Sequence, residues 1–518
     1  MPLIWHIFRK DVRRLWPAVL ISLVLLGELS HLDSLRQDWL ATAAEGWLNL
    51  ILPLTWACLI ALLVQQEPLV GDRHFWITWP YRWRTLLASK ALFVLAFVHL
   101  PALVADAAIL AFHGFPPAQY VSRLLGQQVL LAATVTIPAL GLATLFENIA
   151  TFLLAALVLA GAAVYLVQTN QPLRTPWLPA DEIRIAVAAG LLAVTAVGIV
   201  LIQYARRRAA PSRIAGAGAV VFAGLVFGYL PPNVTARIRS TLHPASTHIS
   251  LGPSTERPEV PAGMGNTGGG PEIVLAAVPV ALSGVSDTQE IRCNVLSAEM
   301  TGPNAQRYRT PPKTARGSFQ KMDFDASLLP YGRRPSWLLL RLRRAALNEI
   351  ANGPVTLRAL VEVSLHRAGP TTWLATGAPQ AVPGLGRCSS QMVESANVYQ
   401  GSMLKVFCES PYPISPATEV RLWQPGTGAE WKQHLGDSAP VVSGPRESLL
   451  SPLNRLQTFF QLTSEAGYRS PGGRWMVPRE ALLNAKLAIV PDTVTAWSTA
   501  DIELPDLHLG DYVLKAER

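Results

Sequence analysis

Two ionisable side chains, His99 and Asp106, lie inside one apolar stretch of the sequence, where charge is costly. They stand seven residues apart with Pro101 between them, so helical spacing places both on one helix face. Ionisable residues inside a membrane span are rare and often functional. They could line a translocation path or form a gating hydrogen bond. A structural polar contact with a neighbouring helix is the alternative.

A second group of chemically informative residues lies in the segment 65–90, QQEPLVGDRHFWITWPYRWRTLLASK. The segment is dense in aromatic and basic side chains, and Pro80 divides it into two short helical pieces. A connection between two spans needs only about five residues, so the extra length predicts a surface for docking a partner. An interfacial belt without a partner is the alternative. The residues expected to matter are Glu67, Asp72, Arg73, Trp76, Trp79, Pro80, Arg82, Arg84 and Lys90.

The first sixteen residues predict an amphipathic helix that lies in the membrane interface. Ile4, Phe8, Val12 and Leu15 recur on one face by helical spacing. This helix is either a topology anchor or an elbow that moves with a cytoplasmic partner. The side chains expected at the interface are Trp5, Phe8, Arg9, Lys10, Arg13 and Arg14.

Other residue patterns exclude several activities. No Gly-x-x-x-x-Gly-Lys-Ser/Thr segment occurs, so any nucleotide hydrolysis must come from another chain. The ten histidines show no metal-ligand spacing, and no nucleophile motif stands out, so we expect no catalytic, metal or cofactor-binding residues. The sequence contains no compact basic patch with interleaved aromatic residues, so we expect no nucleic-acid binding. Cys388 and Cys408 could form a disulfide in an oxidising compartment; other pairings and free thiols stay open.

The elements that must position these residues change character near Pro231. Seven long apolar stretches precede it, and each approaches the roughly 20 residues that a membrane-spanning helix needs. Over its 518 residues the chain is 50% hydrophobic and 15% charged, and these values are averages over two halves of unlike composition. The predicted spans cover approximately 16–30, 44–64, 91–112, 127–145, 149–167, 185–204 and 214–230.

Loop charge predicts the orientation of these spans, because Lys and Arg concentrate on the cytoplasmic side. A cytoplasmic N-terminus would place twelve basic residues inside and four outside, and seven spans would then deliver the C-terminal half to the outer side. The inside residues would be Arg9, Lys10, Arg13, Arg14, Arg73, Arg82, Arg84, Lys90, Arg206, Arg207, Arg208 and Arg213; the outside ones would be Arg36, Arg123, Arg174 and Arg184.

The C-terminal half predicts a β-rich, sandwich-like extracytoplasmic domain over 272–518, after a Pro- and Gly-rich linker over 231–271. Alternating apolar residues predict a strand over 355–366. One helix is predicted from a Ser336 cap to a stop at Gly353. Further strands are predicted over 273–285, 290–298, 403–408, 485–490 and 500–504.

The N-terminal 205 residues resemble the permease subunits of type-2 ABC transporters. The similarity rests on the basic amphipathic helix, the short first span, and a loop in which Glu67 or Asp72, then Trp79-Pro80-Tyr81-Arg82, then Lys90 follow in order. In that family this loop is the coupling helix that rests on the ATPase subunit. The predicted seventh span and the large outer domain depart from the family.

The resemblance implies a multi-pass permease of the bacterial cytoplasmic membrane, six core spans over 17–230 plus a seventh. The implied partners are a cytoplasmic ABC ATPase subunit, a second permease subunit, identical or different, and the lipid bilayer. The rival hypothesis is a membrane-anchored scaffold or sensor whose outer β domain binds a partner.

Overall fold

The computed structural model describes most of the chain in separate stretches. The described residues are 2–34, 39–66, 82–146, 148–169, 180–206, 209–254, 273–285, 289–310, 324–331, 334–350, 353–375, 378–394, 402–415, 418–435, 450–463, 477–478, 482 and 485–514.

The N-terminal half is helical. Its helices are α1 (Pro2–Ser34), α2 (Trp39–Gln65), α3 (Trp83–Val94), α4 (Leu100–Phe112), α5 (Val121–Leu131), α6 (Ile137–Ala143), α7 (Ile149–Thr169), α8 (Ala180–Arg206), α9 (Ala209–Tyr229) and α10 (Pro232–Leu242). A π-helical turn joins α3 to α4 over Leu95–His99, and a second joins α5 to α6 over Ala132–Thr136.

Among the described residues, six helices are long and apolar enough to cross a membrane, judged by length and composition. This finding supports a multi-pass membrane domain. The fifth predicted span falls on α7, whose described apolar stretch is shorter, over Ile149–Leu159. The six longer segments are Leu3–Asp33, Trp47–Gln65, Trp83–Phe112, Pro117–Ala143, Ile183–Ala205 and Ala210–Gly228.

The first helix differs from the sequence prediction of an interfacial helix over 1–16 followed by a short span. A single helix of 33 residues runs through Pro17 and joins the two. Proline lacks a backbone N–H, but the helix continues when neighbouring groups satisfy the freed carbonyl. The basic N-terminal face is therefore continuous with the first span.

Contacts between helix ends show that the chain passes back and forth along the bundle. At one end, Arg213 near the start of α9 donates a hydrogen bond to the carbonyl of Leu145, just after α6 (3.2 Å). At the opposite end, Arg184 near the start of α8 donates to the carbonyl of Leu230, just after α9 (2.7 Å). The 21 residues of α7 span about 31 Å, so α7 covers the distance between these two ends. As labels alone, the end with Arg213 and Leu145 is named the inner end, and the end with Arg184 and Leu230 the outer end.

The C-terminal half consists of strands with one short helix, α11 (Arg344–Ile350). The strands are β1 (Ser250–Pro253), β2 (Ile273–Ser283), β3 (Glu290–Thr301), β4 (Arg307–Arg309), β5 (Phe324–Tyr331), β6 (Arg334–Arg343), β7 (Val355–Ala368), β8 (Thr372–Leu374), β9 (Gln380–Val382), β10 (Gly386–Glu394), β11 (Ser402–Ser410), β12 (Glu419–Gln424), β13 (Ala429–His434), β14 (Asn454–Thr463), β15 (Val477–Pro478), β16 (Lys486–Val490) and β17 (Asp492–Leu507).

These strands form four small sheets that pack as two sandwich-like lobes. Sheets β1-β2-β6-β5 and β17-β7-β3-β4 enclose one apolar core and form lobe 1. Sheets β15-β14-β11-β10-β9 and β13-β12-β16-β8 enclose a second core and form lobe 2. Lobe 2 is inserted between β7 and β17, which pair in lobe 1. The chain therefore leaves and re-enters lobe 1 at neighbouring points, and Ala368 pairs there with Asp492.

All six predicted strand segments coincide with strands in the structure. The helix predicted from Ser336 was wrong in its first half, because Leu339 and Leu342 lie on β6 between β2 and β5. A short apolar run fits a buried strand as well as a helix. The segment 231–271, predicted as a linker, contains α10 and β1 in its described part.

Candidate functional site

A buried ion pair joins α1 to α3 near the inner end. Lys90 Nζ donates a hydrogen bond to Asp11 Oδ2 at 2.8 Å, and both side chains are almost completely removed from solvent. Lys90 was predicted as part of a docking surface, but the structure places it inside the bundle. Removing one partner of such a pair leaves an uncompensated buried charge, which is strongly unfavourable. The ion pair therefore stabilises the contact between α1 and α3 at this point.

The predicted docking segment is described at its two ends, 65–66 and 82–90. Glu67, Asp72, Arg73, Trp76, Trp79 and Pro80 lie outside the described residues. Arg82 precedes α3, Arg84 lies in its first turn, and both are exposed. The Arg84 guanidinium lies 5.4 Å from the centre of the Trp83 ring, within cation–π range. Two exposed cations, one just before α3 and one in its first turn, therefore lie about two turns from the buried Lys90.

The N-terminal part of α1 is amphipathic, as its spacing predicts. The basic residues Arg9, Lys10, Arg13 and Arg14 are exposed, and Trp5 is also exposed. The opposite face packs against α3 and the π turn after it, where the Phe8 ring stacks on Phe97 with centroids 6.0 Å apart. This face contains the buried Asp11 in addition to the apolar residues that the sequence indicates.

The two intramembrane residues His99 and Asp106 belong to one hydrogen-bonded cluster, connected through a glutamine. His99 Nδ1 lies 3.1 Å from Gln128 Oε1, and Gln128 Nε2 donates to Asp106 Oδ2 at 3.2 Å. His99 Nε2 lies 3.3 Å from Thr136 Oγ1. We call His99, Asp106, Gln128 and Thr136 the intramembrane cluster. It joins the helix pair α3–α4 to the pair α5–α6.

Both helix pairs contain a π turn at this cluster, and proline explains both turns. His99 and Thr136 end the two π turns, and Pro101 and Pro138 follow each of them two residues later. A proline inside a helix cannot donate a backbone hydrogen bond and clashes with the carbonyl four residues earlier. A π turn absorbs this distortion, and such turns are frequent at functional sites.

At the outer end, charged side chains attach lobe 2 to the helices. Arg455 on β14 binds Asp33 on α1 in a bidentate manner, with N–O distances of 3.0 and 2.8 Å. His113, just after α4, lies 3.0 Å from Glu409 on β11 and 3.5 Å from Asp33. Bidentate arginine–carboxylate contacts are strong and geometrically specific. We call Asp33, His113, Glu409 and Arg455 the outer cluster.

The outer cluster changes the protonation of His113. Burial by itself lowers the pKa of this imidazole. The hydrogen bonds that the ring donates to Asp33 and Glu409, together with the negative charges of these carboxylates, more than offset burial and raise the pKa to about 9. His113 is therefore cationic at neutral pH. Two carboxylates and two cations then balance each other at the junction between the helices and lobe 2.

Three further contacts between lobe 2 and the helices surround the outer cluster. Arg387 donates to the carbonyl of His113 at 2.9 Å, and Arg123, near the start of α5, donates to the carbonyl of Pro411 at 3.0 Å. Leu450, which precedes β14, packs into the apolar core of the helix bundle. Lobe 2 is therefore fixed to α1, α4 and α5 together.

Lobe 1 is attached to the helices separately, through α10. Arg239 of α10 forms a buried ion pair with Glu362 of β7, and its guanidinium lies 4.5 Å from the centre of the Trp497 ring. The two lobes therefore contact different parts of the helix bundle.

A buried hydrogen-bond chain lies where lobe 2 leaves lobe 1. Ser364 Oγ is 2.8 Å from His366 Nε2, and His366 Nδ1 is 2.6 Å from Asp492 Oδ2. Ser415 of lobe 2 donates to the same carboxylate at 2.9 Å. The order serine–histidine–aspartate is that of hydrolase triads. All three side chains are nevertheless buried, so a substrate does not reach Ser364 in this structure, and the chain instead connects the two lobes.

The cysteines of the two β lobes differ in state. Cys388 on β10 and Cys408 on β11 face each other in register and form a disulfide. Cys293 on β3 is a free thiol whose burial raises its pKa to about 12, so it is unreactive at neutral pH.

Sequence reasoning found His99 and Asp106 but missed their connection, Gln128, and the partner of Lys90, Asp11. A glutamine in a predicted span and an aspartate on the apolar face of a basic amphipathic helix were the available signals. The outer cluster joins Asp33 to Arg455, residues 422 positions apart, and no local pattern predicts such a pair. Comparisons with protein-family models, curated proteins and solved structures found no match to this chain.

Proposed function

We propose that this chain is the membrane-spanning permease subunit of an ABC transporter in the bacterial cytoplasmic membrane. A separate cytoplasmic ATPase subunit would supply the energy, and a second permease subunit, identical or different, would complete the pathway. The N-terminus and the segment 65–90 would lie on the cytoplasmic side, and the two β lobes would lie outside. The chain would act through conformational change, without covalent chemistry of its own.

The observation that carries this proposal is the buried Asp11–Lys90 pair. It fastens the basic N-terminal helix to α3 at Lys90, the last residue of the predicted docking segment, about two turns after Arg82 and Arg84. A push on that segment therefore displaces α1 and α3 together. The exposed Arg82 and Arg84 lie at the place where an acidic partner surface would make contact.

The same helix offers a path for this displacement to the other end of the bundle. The described span Trp83–Phe112 is about 45 Å long at 1.5 Å per residue, and it ends at His113. Its π turn lies in the middle, at the intramembrane cluster. Movement at the inner end can therefore alter both the π turn and the outer cluster, which is the property that a coupled permease needs.

The experiment is charge reversal of Arg82→Glu with Arg84→Glu in the complete complex. We expect the double variant to fold and insert normally but to lose most of the stimulation of the partner's ATP hydrolysis. A matched control, Arg307→Glu with Arg309→Glu, reverses two exposed charges of lobe 1 and should leave stimulation unchanged. Full stimulation in the first variant would contradict the assignment of the docking segment.

The scaffold or sensor hypothesis makes a different prediction for the same preparation. An anchored binding module needs no ATPase, so none would purify with the chain in mild detergent. An ATPase subunit that purifies in a fixed ratio with the chain supports the permease.

A further inference from the structure

The intramembrane cluster has a property that goes beyond the proposed transport role. Each of its members has both hydrogen-bond donor and acceptor capacity, or gains it when it binds a proton. The contacts run in one line from Asp106 through Gln128 and His99 to Thr136. Thr136 Oγ1 also lies 3.4 Å from the carbonyl oxygen of Ala132, the first residue of its own π turn. The line therefore ends on the backbone of that turn.

With Asp106 ionised, all hydrogen bonds in the line point toward its carboxylate. Gln128 donates through Nε2 to Asp106, and its Oε1 then accepts a hydrogen bond from His99 Nδ1–H. The neutral imidazole is left with an acceptor at Nε2, and the Thr136 hydroxyl donates to it. In this state the carbonyl of Ala132 receives no hydrogen bond from Thr136.

With Asp106 protonated, the same line reverses. The side-chain amide of Gln128 flips, so that Oε1 and Nε2 exchange places. The carboxylic acid of Asp106 then donates to Gln128 Oε1, and Gln128 Nε2–H donates to His99 Nδ1. The imidazole then carries its proton on Nε2 and donates it to Thr136 Oγ1. The Thr136 hydroxyl is now free to donate to the carbonyl of Ala132. The imidazole keeps one proton in both states, and the single proton gained from water resides on Asp106.

We propose that Asp106 is a proton-binding site whose occupancy reverses this hydrogen-bond line and thereby changes the bonding of the π turn over Ala132–Thr136. A proton is the ligand, and the two π turns are the elements that respond. An ionised carboxylate inside a span is costly, and a bound proton removes that cost. Among the described residues, the charged side chains that act electrostatically on Asp106 are Asp33 on α1 and Arg123 on α5. They lie toward the outer end, where lobe 2 covers the helices.

The tautomer of His99 shows in which direction the hydrogen bonds of this line are donated. Full-length protein in lipid nanodiscs, labelled with ¹⁵N in its histidines, would be measured by solid-state NMR between about pH 5 and pH 9, a range that includes the pKa values documented for buried carboxyl groups. Subtracting the spectrum of His99→Gln isolates the His99 ring signals. We expect the Nδ1–H tautomer at high pH and the Nε2–H tautomer at low pH.

Two variants make the result decisive. Asp106→Ala removes the proton site, and Gln128→Leu keeps the site but interrupts the line; both should lose the pH-dependent exchange of tautomers. Size-exclusion profiles and thermal unfolding establish that each variant folds, and either variant alone suffices. One tautomer at every pH in the unmodified protein, a doubly protonated His99 in place of the exchange, or an exchange that persists in a folded variant would overturn the proposal.

Discussion

The buried pair between Asp11 and Lys90 leads to a quantitative prediction about the membrane domain. Lys90→Met removes the ammonium group that donates to the Asp11 carboxylate, in a site that is almost fully buried. Breaking one side of a buried ion pair costs about 3–5 kcal/mol. For a domain of this size, a loss of this much free energy of unfolding corresponds to a fall of about 10 °C in the apparent Tm.

The assay is thermal unfolding of the purified protein in detergent. The double variant Asp11→Leu with Lys90→Met replaces both charges by apolar groups, and it should recover to within about 1 kcal/mol of the unmodified protein, because the desolvation cost disappears with the pair. Arg84→Met is the matched control on the same helix, since Arg84 is exposed and exposed cations contribute less than about 1 kcal/mol.

The pattern among the variants decides the outcome. If Lys90→Met is as stable as Arg84→Met, the pair does not hold α1 to α3. If the double variant is less stable than Lys90→Met, the two residues act independently. Either result would refute the rigid joint on which the proposed coupling depends.

Two further predictions concern the outer end and the packing of the helices. The pKa of His113 is raised from 6.5 to about 9, so the stability that the charged imidazole adds to the docking of lobe 2 is complete below pH 6.5 and is lost as the pH rises through about 9. The Tm of the unmodified protein should therefore fall more between pH 7 and pH 10 than the Tm of His113→Gln. Parallel curves of Tm against pH for the two proteins would contradict this. A methyl group added at Gly141 would lie 2.7 Å from Ala196 Cβ, whereas one at Gly198 would meet nothing within 4 Å. In thermal unfolding, Gly141→Ala should therefore destabilise the protein by about 1–3 kcal/mol, and Gly198→Ala should stabilise it by about 0.5–1 kcal/mol through helix propensity. Equal effects of the two substitutions would show that α6 and α8 do not pack this closely.

The parts of the fold that follow from periodicity could be predicted from the sequence. Strand β7 alternates apolar and polar residues along its length, and the spans stand out by length and composition. The prediction failed where one pattern fits two structures, as in the apolar run around Leu339 that forms β6. Periodicity describes neighbours along the chain, so it also could not reveal that lobe 2 is an insertion in lobe 1.

The candidate site was predictable only as separate residues. His99 and Asp106 stand out because charge is rare in spans, but the glutamine that joins them comes from another helix. Lys90 was interpreted as a surface cation, since sequence does not show that Asp11 compensates its charge. These pairings depend on how helices pack, and helix packing is set by many weak contacts that no single motif contains.

The most direct test of the proposed function is to ask what lies against the end of the docking segment in an intact membrane. A photoreactive amino acid in place of Arg84, activated in cells that express the complete complex, would be followed by mass spectrometry of the adduct. The proposal predicts a covalent adduct with a cytoplasmic chain that carries a nucleotide-binding motif. Adducts with lipid alone, or with proteins outside the cell membrane, would contradict it.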